Sequence, residues 1–512
     1  MENNRTAKAI KNVKISILTY IVIIILQFAN RSIFVGLLSD EYLGLNGLFS
    51  NVLQFLALAE LGIGSAMSYA LDRPLNDNDV PLLKSYMKFY QKAYFIIGMV
   101  VLVMGLALTP FLSFFIKDMP ENMPLLPVYY ILYVVNSAAS YFYTYKRTIL
   151  VCDQKQYISS ITTSLKTILT AVLQIVVLLI THNFLFYLVV MIVCTVAENI
   201  VISRIADRQY PFLREKEVEP LAKDRVHDLT KNVSAMFLHK IGTVIVTSTD
   251  NLIISKFVSL SMSGLYSNYT MVTNALNSLL NQVFTSVTAS VGNLVANDDP
   301  EHDESVLKNV LFANFWIYSF CSVCLFCLFE PFIQLWLGNR YEMGLPTVAV
   351  IVAVFYLTGV RKTVLTFRDA AGIFWYDRYK SLVEAGVNLA CSIPLAIRFG
   401  VVGTLVGTVI STIGVSFWVE ARVLYKHHFH KSRLGYYAKQ TLYAAITVLC
   451  AGVTYKVTTL IGFTGIFGLL VKAVICLVVP NLMIVIMFCW TAPMKYFMGL
   501  GKKAVMKYAK RK

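Results

Sequence analysis

The stretch Ser234–Thr270, SAMFLHKIGTVIVTSTDNLIISKFVSLSMSGLYSNYT, reads as a membrane helix, a short turn and the opening of a second helix. Between Lys240 and Asn251 the backbone is expected to lie in hydrocarbon. Yet Lys240, Thr243, Thr247, Asp250 and Asn251 fall within about a third of the helix circumference at 3.6 residues per turn. An ionisable group at bilayer depth costs on the order of 2.5 to 3.5 kcal/mol, so such a stripe belongs against a bundle interior or a water-filled cavity. A polar seam between packed helices accounts for Thr243 and Thr247. Lys240 and Asp250 point instead to a cavity.

The same stretch repeats an earlier one. Asn30–Phe49 (NRSIFVGLLSDEYLGLNGLF) aligns without a gap onto Asp250–Tyr269 (DNLIISKFVSLSMSGLYSNY), which sets Gly44-Leu45 on Gly264-Leu265. At a slightly longer offset Leu83-Lys84 matches Leu307-Lys308, and Ile149 with Asp153 matches Ile373 with Asp377. Two homologous halves follow, the second beginning near Leu221.

Of the 512 residues 57% are hydrophobic and 14% charged, and the long uncharged runs specify an all-α integral membrane protein. Windows of about 20 residues give about fourteen spans, near 12–37, 43–71, 86–116, 124–148, 156–181, 184–206, 229–257, 262–295, 306–329, 344–369, 378–398, 402–424, 436–458 and 463–490. The expected division is an N-terminal six-helix bundle (1–206), a cytoplasmic linker (207–228), a second six-helix bundle (229–424), and two extra helices with a basic tail (425–512). Arg5, Lys8, Lys11 and Lys14 lead into a full-length first span with no small-residue cleavage site, so that helix is expected to stay as an anchor. The net charge of +16 is concentrated in alternate short loops, which places both termini in the cytoplasm. The same placement makes nucleic acid an unneeded partner. Among nine cysteines, Cys321, Cys324 and Cys327 lie in an apolar helix interior and read as small buried hydrophobes, not cluster ligands.

Polar stripes recur in the first two spans of each half. Span 1 carries Ser16, Tyr20, Gln27 and Arg31 on one face; span 2 carries Asn46, Ser50, Glu60 and Gly64; span 8 carries Tyr266, Thr270, Thr273, Asn277, Asn281 and Thr288. Hydroxyl and small residues also glue helices in membranes. Four such stripes, however, converge on a shared polar interior. Arg31 sits roughly 10 Å below the outer surface by the helical rise, and Lys240, Lys166, Arg361 and Lys362 sit in the cytoplasmic half of their spans. Fixed positive charge suits an anionic ligand, and guanidinium grips phosphate with paired hydrogen bonds. Lys166 and Lys362 are alternatively read as snorkelling to the surface. The candidate anion-binding set is Arg31, Lys240, Lys166 and Arg361. The candidate polar lining is Gln27, Asn46, Glu60, Thr247, Asn251, Tyr266, Thr273 and Asn277.

Glu384 and Asn388 are four apart on span 11 and face Thr408 or Thr412 of span 12. Oxygen groups of that kind, with Asp250, would hold a sodium ion or exchange a proton. A salt bridge from a nearby Lys or Arg explains Glu384 equally, and Asp250 is equally read as neutralising Lys240. Apart from a coupling Na+ or H+, no cofactor or metal is expected. The external loops are short, Asp40-Glu41 makes a poor catalytic pair, and nucleotide-cradling glycine loops are missing, which argues against an enzyme.

The basic amino terminus, the glycine-led second span (YLGLNGLF and GLYSNY), HKIG…STDNLIIS in span 7 and the six-plus-six-plus-two arrangement resemble the polysaccharide-exporter branch of the multidrug/oligosaccharidyl-lipid/polysaccharide superfamily, the Wzx-like flippases. The resemblance covers nearly the whole chain. It implies two six-helix bundles around a cavity that opens alternately to each side of a bacterial plasma membrane. The implied substrate is an undecaprenyl-diphosphate-linked glycan turned to the outer leaflet for capsule or exopolysaccharide assembly, with a polysaccharide polymerase and glycosyltransferases as partners. Arg31 falls where related lipid II flippases carry a first-span arginine thought to meet the diphosphate. Their neighbouring acidic residue is replaced by Ser32, and their sodium site is matched by Asp250, Glu384 and Asn388, the span 11 pair in reverse order. Competing readings are a cation-coupled multidrug antiporter of the same fold and a membrane-embedded polymerase or glycosyltransferase.

Overall fold

The computed structural model describes the backbone of residues 2–60, 63–117, 123, 125–215, 217–295 and 300–499. It describes the side chains of those residues except 2–17, 59, 65, 231–241, 243, 247, 283, 285–295, 300–302, 374 and 375. The charges Arg5, Lys8, Lys11, Lys14 and Lys240 and the polar residues Ser16, Thr243, Thr247 and Thr288 thus lie outside the described side chains. The chain divides into two compact units, Met1–Gly264 and Leu265–Lys512.

The first unit holds α1 (Glu2–Leu37), α2 (Asp40–Leu56), α3 (Ile63–Asn76), α4 (Val80–Leu108), α5 (Leu112–Phe115), α6 (Leu126–Tyr141), α7 (Thr144–Cys152), α8 (Gln156–Thr181), α9 (Phe184–Gln209), α10 (Lys223–Ile253) and the first turn of α11 (Leu260–Val295). The second holds the rest of α11, then α12 (Pro300–Leu337), α13 (Leu345–Val360), α14 (Lys362–Ala370), α15 (Lys380–Ser411), α16 (Phe417–Leu424), α17 (Leu434–Thr459) and α18 (Gly465–Phe488). No strand occurs among the described residues. Among the described residues the expected spans fall mainly on helix. Among the described residues nine helical runs are long and apolar enough to cross a membrane, and this is a multi-pass membrane protein. Several spans are broken: α2 runs into a 3-10 turn at Ala57–Glu60, α4 into one at Thr109–Phe111, α6 and α7 part at 142–143, and α13 and α14 part at Arg361. Ile180, Phe95, Ile397, Val448 and Ile466 stand exposed along their helices, which is what a lipid-facing belt requires.

In the first unit α1 packs on α8, α8 on α9, and α6 on both α4 and α9, around tyrosines and phenylalanines such as Phe49, Tyr130 and Tyr133. The repeated glycines account for one close approach. A methyl group on Gly44 would lie 2.1 Å from the Leu260 carbonyl oxygen, and one on Gly264 2.6 Å from that of Asp40. Residues 40 and 260 are themselves equivalent in the repeat, so each glycine receives the backbone of the other's helix start. Ser261 donates to Glu41 across the same crossing at 3.2 Å.

In the second unit α12 is the central helix, packed on α13, α17 and α18. The Phe315 and Tyr443 rings stack at 4.0 Å, and Trp316 donates to Asn481 at 2.7 Å. The run α15 turns back on itself at Gly400, whose φ of +61 falls in the left-handed region that L residues with a Cβ rarely occupy. Methyl groups on Gly403 and Gly407 would lie 2.0 Å from the Leu395 oxygen and 2.2 Å from Ser392 Oγ. This tight hairpin sets the polar groups of spans 11 and 12 side by side.

Candidate functional site

Each unit carries its own buried polar cluster. In the first, Asn30 donates to Gln174 Oε1 (3.0 Å) and to the Tyr187 hydroxyl (3.3 Å), joining α1 to α8 and α9. Arg31 is half-buried next to it and within electrostatic range of Tyr133 and Tyr187. Tyr133 in turn donates to Asn46 Oδ1 at 2.7 Å, and Tyr94 donates to Glu60 at 3.4 Å. Arg31, Asn46 and Glu60 are thus bound into a phenol-rich interior. Gln27 is exposed on α1, and Lys166 is half-buried on α8. Asp250 and Asn251 end α10 half-buried, and Asn251 Oδ1 has no hydrogen-bond partner among the described residues.

The second unit concentrates charge. Arg361 stands at the break between α13 and α14. Its Nε and Nη2 donate to the two oxygens of Glu420 (2.9 and 2.6 Å), and its Nη1 approaches Glu384 at 3.5 Å. Lys380 also donates to Glu420, which is 1% exposed. Thr412 donates to Glu384 at 3.4 Å. Two cations and two carboxylates cancel, which is the condition for keeping such groups out of water. Arg361, expected to offer its charge to a ligand, has that charge met by protein carboxylates. The salt-bridge reading of Glu384 describes the arrangement.

Below this network Asn388, fully buried, donates to Thr408 (3.0 Å) and Ser411 (3.4 Å). The oxygens expected to bind a coupling cation are therefore adjacent within the α15 hairpin. The charge of Glu384, however, already has its counterion in Arg361, and a further cation would add an unbalanced charge. On α11, Tyr266 is buried, Thr273 donates to the Thr270 carbonyl (3.1 Å), and Asn277 Oδ1 has no hydrogen-bond partner among the described residues.

Several residues of these clusters escaped the sequence reading. Gln174 is an isolated amide in the apolar part of span 5 and Tyr187 a lone phenol in span 6; neither indicates Asn30 as its partner.

A family model described as "Polysaccharide biosynthesis protein" matches residues 34–346, more than half of the chain, and the chain belongs to that family. No curated protein matches it significantly in sequence. Among solved structures it is similar to "Lipid II flippase MurJ, inward closed conformation", with a TM-score of 0.68 and 14% identity, covering 93% of this chain and 98% of that one. It is also similar to an inward-facing multidrug resistance MATE family transporter of the MOP superfamily (TM-score 0.62, 16% identity, 78% of this chain and 94% of that one). A Vibrio cholerae MATE transporter matches at TM-score 0.55 and 10% identity, over 81% of this chain and 96% of that one. The fold is that of this group of transporters, and the chain resembles a Wzx-like flippase of the superfamily.

Proposed function

We propose that this protein is a flippase that turns an undecaprenyl-diphosphate-linked glycan from the cytoplasmic to the outer leaflet of a bacterial plasma membrane, with both termini cytoplasmic. The observation that carries the reading is coverage. The flippase fold accounts for 93% of the chain, whereas the MATE transporters account for 78% and 81%. Family membership supplies the link to polysaccharide synthesis. Capsule or exopolysaccharide is the polymer class this implies, with glycosyltransferases supplying the lipid-linked unit and a polymerase consuming it.

The physical task is narrow. A diphosphate with a sugar head cannot cross hydrocarbon, while its lipid tail is already dissolved there, so the protein need only shelter the head. Arg31 supplies a forked donor suited to phosphate, and the phenols of Tyr133 and Tyr187 supply neutral hydrogen-bonding surface without a competing negative charge. Nothing in this task breaks or forms a covalent bond, and the protein acts as a carrier, not an enzyme.

The test is complementation of a polymer-negative strain from which this chain has been deleted. Arg31→Ala is expected to abolish export while the protein still inserts, and Arg31→Lys is expected to restore only part of it. Full export by Arg31→Ala removes the charge-gripping mechanism. The rival reading, a cation-expelling multidrug antiporter, follows from the MATE likeness, and a drug-resistance phenotype on expression would favour it.

A further inference from the structure

Two adjacent cations stand at the break in span 10, and only the first is neutralised. Arg361 turns towards Glu420 and Glu384. Lys362 turns to α11, where its Nζ donates to Asn281 Oδ1 at 2.5 Å and lies 5.3 Å from the Tyr318 ring centre and 6.0 Å from that of Phe284. Among the described residues no carboxylate meets it. The first unit also carries two adjacent cations, inside α7 shortly past the break in its fourth span, and there both are matched: Lys146 with Asp207 at 2.7 Å, Arg147 with Glu198 at 2.7 Å.

Depth makes the difference consequential. Lys362 lies eight residues before the end of the candidate span Leu345–Ala370, about 12 Å at the helical rise. Its head is held by Asn281 on α11. An amide oxygen and two aromatic faces solvate an ammonium group without cancelling its charge. A cation kept at that depth marks a ligand path. The lysine is half-buried and Asn281 exposed, so the head is reachable. Beside it the Tyr318 hydroxyl and Asn277 Oδ1 have no hydrogen-bond partner among the described residues.

We propose that Lys362, flanked by Asn281 and Tyr318, is an anion-binding residue of the second unit that takes a phosphate oxygen of the transported headgroup. The headgroup rests on the flippase reading above; the anion site does not. An ammonium point charge with aromatic walls suits a diphosphate better than a single carboxylate, because the diphosphate brings more negative charge to one place.

The test uses the full chain in phosphatidylcholine nanodiscs, titrated calorimetrically with inorganic pyrophosphate and, separately, with glucuronate as a sugar-acid probe. Pyrophosphate is expected to bind more tightly than glucuronate. Lys362→Gln is expected to weaken pyrophosphate at least about tenfold, and Lys362→Arg to stay within about threefold of the parent, each with an unchanged melting temperature. Unaltered pyrophosphate binding in Lys362→Gln overturns the proposal. So does glucuronate binding as tightly as pyrophosphate, or Lys362→Arg failing like Lys362→Gln, which would mean a structural lysine. Export in the complementation strain is scored separately. Pyrophosphate binding that depends on Lys362 together with no export activity in the parent would sink the flippase reading and leave the site standing. Normal export with Lys362-independent binding would sink the site alone.

Discussion

Lys146-Arg147, shortly past the break in the fourth span of the first unit, and Arg361-Lys362, at the break in the fourth span of the second, are both adjacent pairs of cations and differ in how their charges are met. In the first unit each cation has its own carboxylate, and Arg147 keeps 28% of its side chain exposed. In the second, one almost fully buried carboxylate, Glu420, serves both Arg361 and Lys380, while Lys362 is left to an amide and two rings. The lesson is that a pair of cations beside a helix break can have both charges met by carboxylates or only one. The choice rests on where the carboxylates are, not where the cations are.

The contrast breaks first at Glu420. Removing its charge with Glu420→Gln leaves Arg361 and Lys380 buried with Glu384 alone, and breaking such a network costs about 3–5 kcal/mol. Fluorescence-detected melting in detergent should show a large loss of folded protein; a small change would mean the network is open to water. Glu198→Gln is the matching lesion in the first unit. With Arg147 able to reach solvent it should cost about 1 kcal/mol or less. Equal losses for the two variants would erase the difference between the units.

Lys362→Met sharpens the comparison from the other side. It removes a half-buried charge that no described carboxylate balances, so stability should stay within about 0.5 kcal/mol of the parent or rise, even as anion binding falls. A melting loss like that of Glu420→Gln would show the lysine to be structural.

The smallest effect belongs to the loop after α7. Asp153 there is raised by burial but brought below its ordinary value by hydrogen bonds from Lys155 and Tyr210, and Lys155 is raised by its bond to Asp153. The depressed acid contributes stability above about pH 3.9 that is lost as pH falls through its folded value. The raised lysine contributes below about pH 10.4 and loses it as pH climbs through its own. Melting should therefore be flat between those limits, and Asp153→Asn should lower it slightly throughout that plateau. A slope at neutral pH that disappears in the variant would contradict the pairing.

Much of this fold was legible because membrane helices announce themselves by uninterrupted apolar runs, as spans 156–181 and 184–206 do. Two glycines that the aligned stretches share, Gly44 and Gly264, sit at one close backbone approach. Pairing was not legible. Nothing near Arg361 in sequence advertises Glu420, 59 residues on, so a charge that the structure neutralises read as one on offer. Asn388 with Thr408 fared better, because helical spacing on two consecutive spans limits where a turned-back chain can bring its polar faces. The break at 142–143 left no mark: Phe142 and Tyr143 are ordinary membrane residues.

The attachment of α17 and α18 to α12 bears on how the protein is made. Phe312 and Phe315 are covered by Tyr443 and Phe488, which leave the ribosome roughly a hundred residues or more after α12 has entered the bilayer. Until then that aromatic surface is clothed by lipid or by insertion factors. Completion of the second unit is therefore a late event in biogenesis, and a nascent chain stalled before residue 434 should be a target for membrane proteolysis.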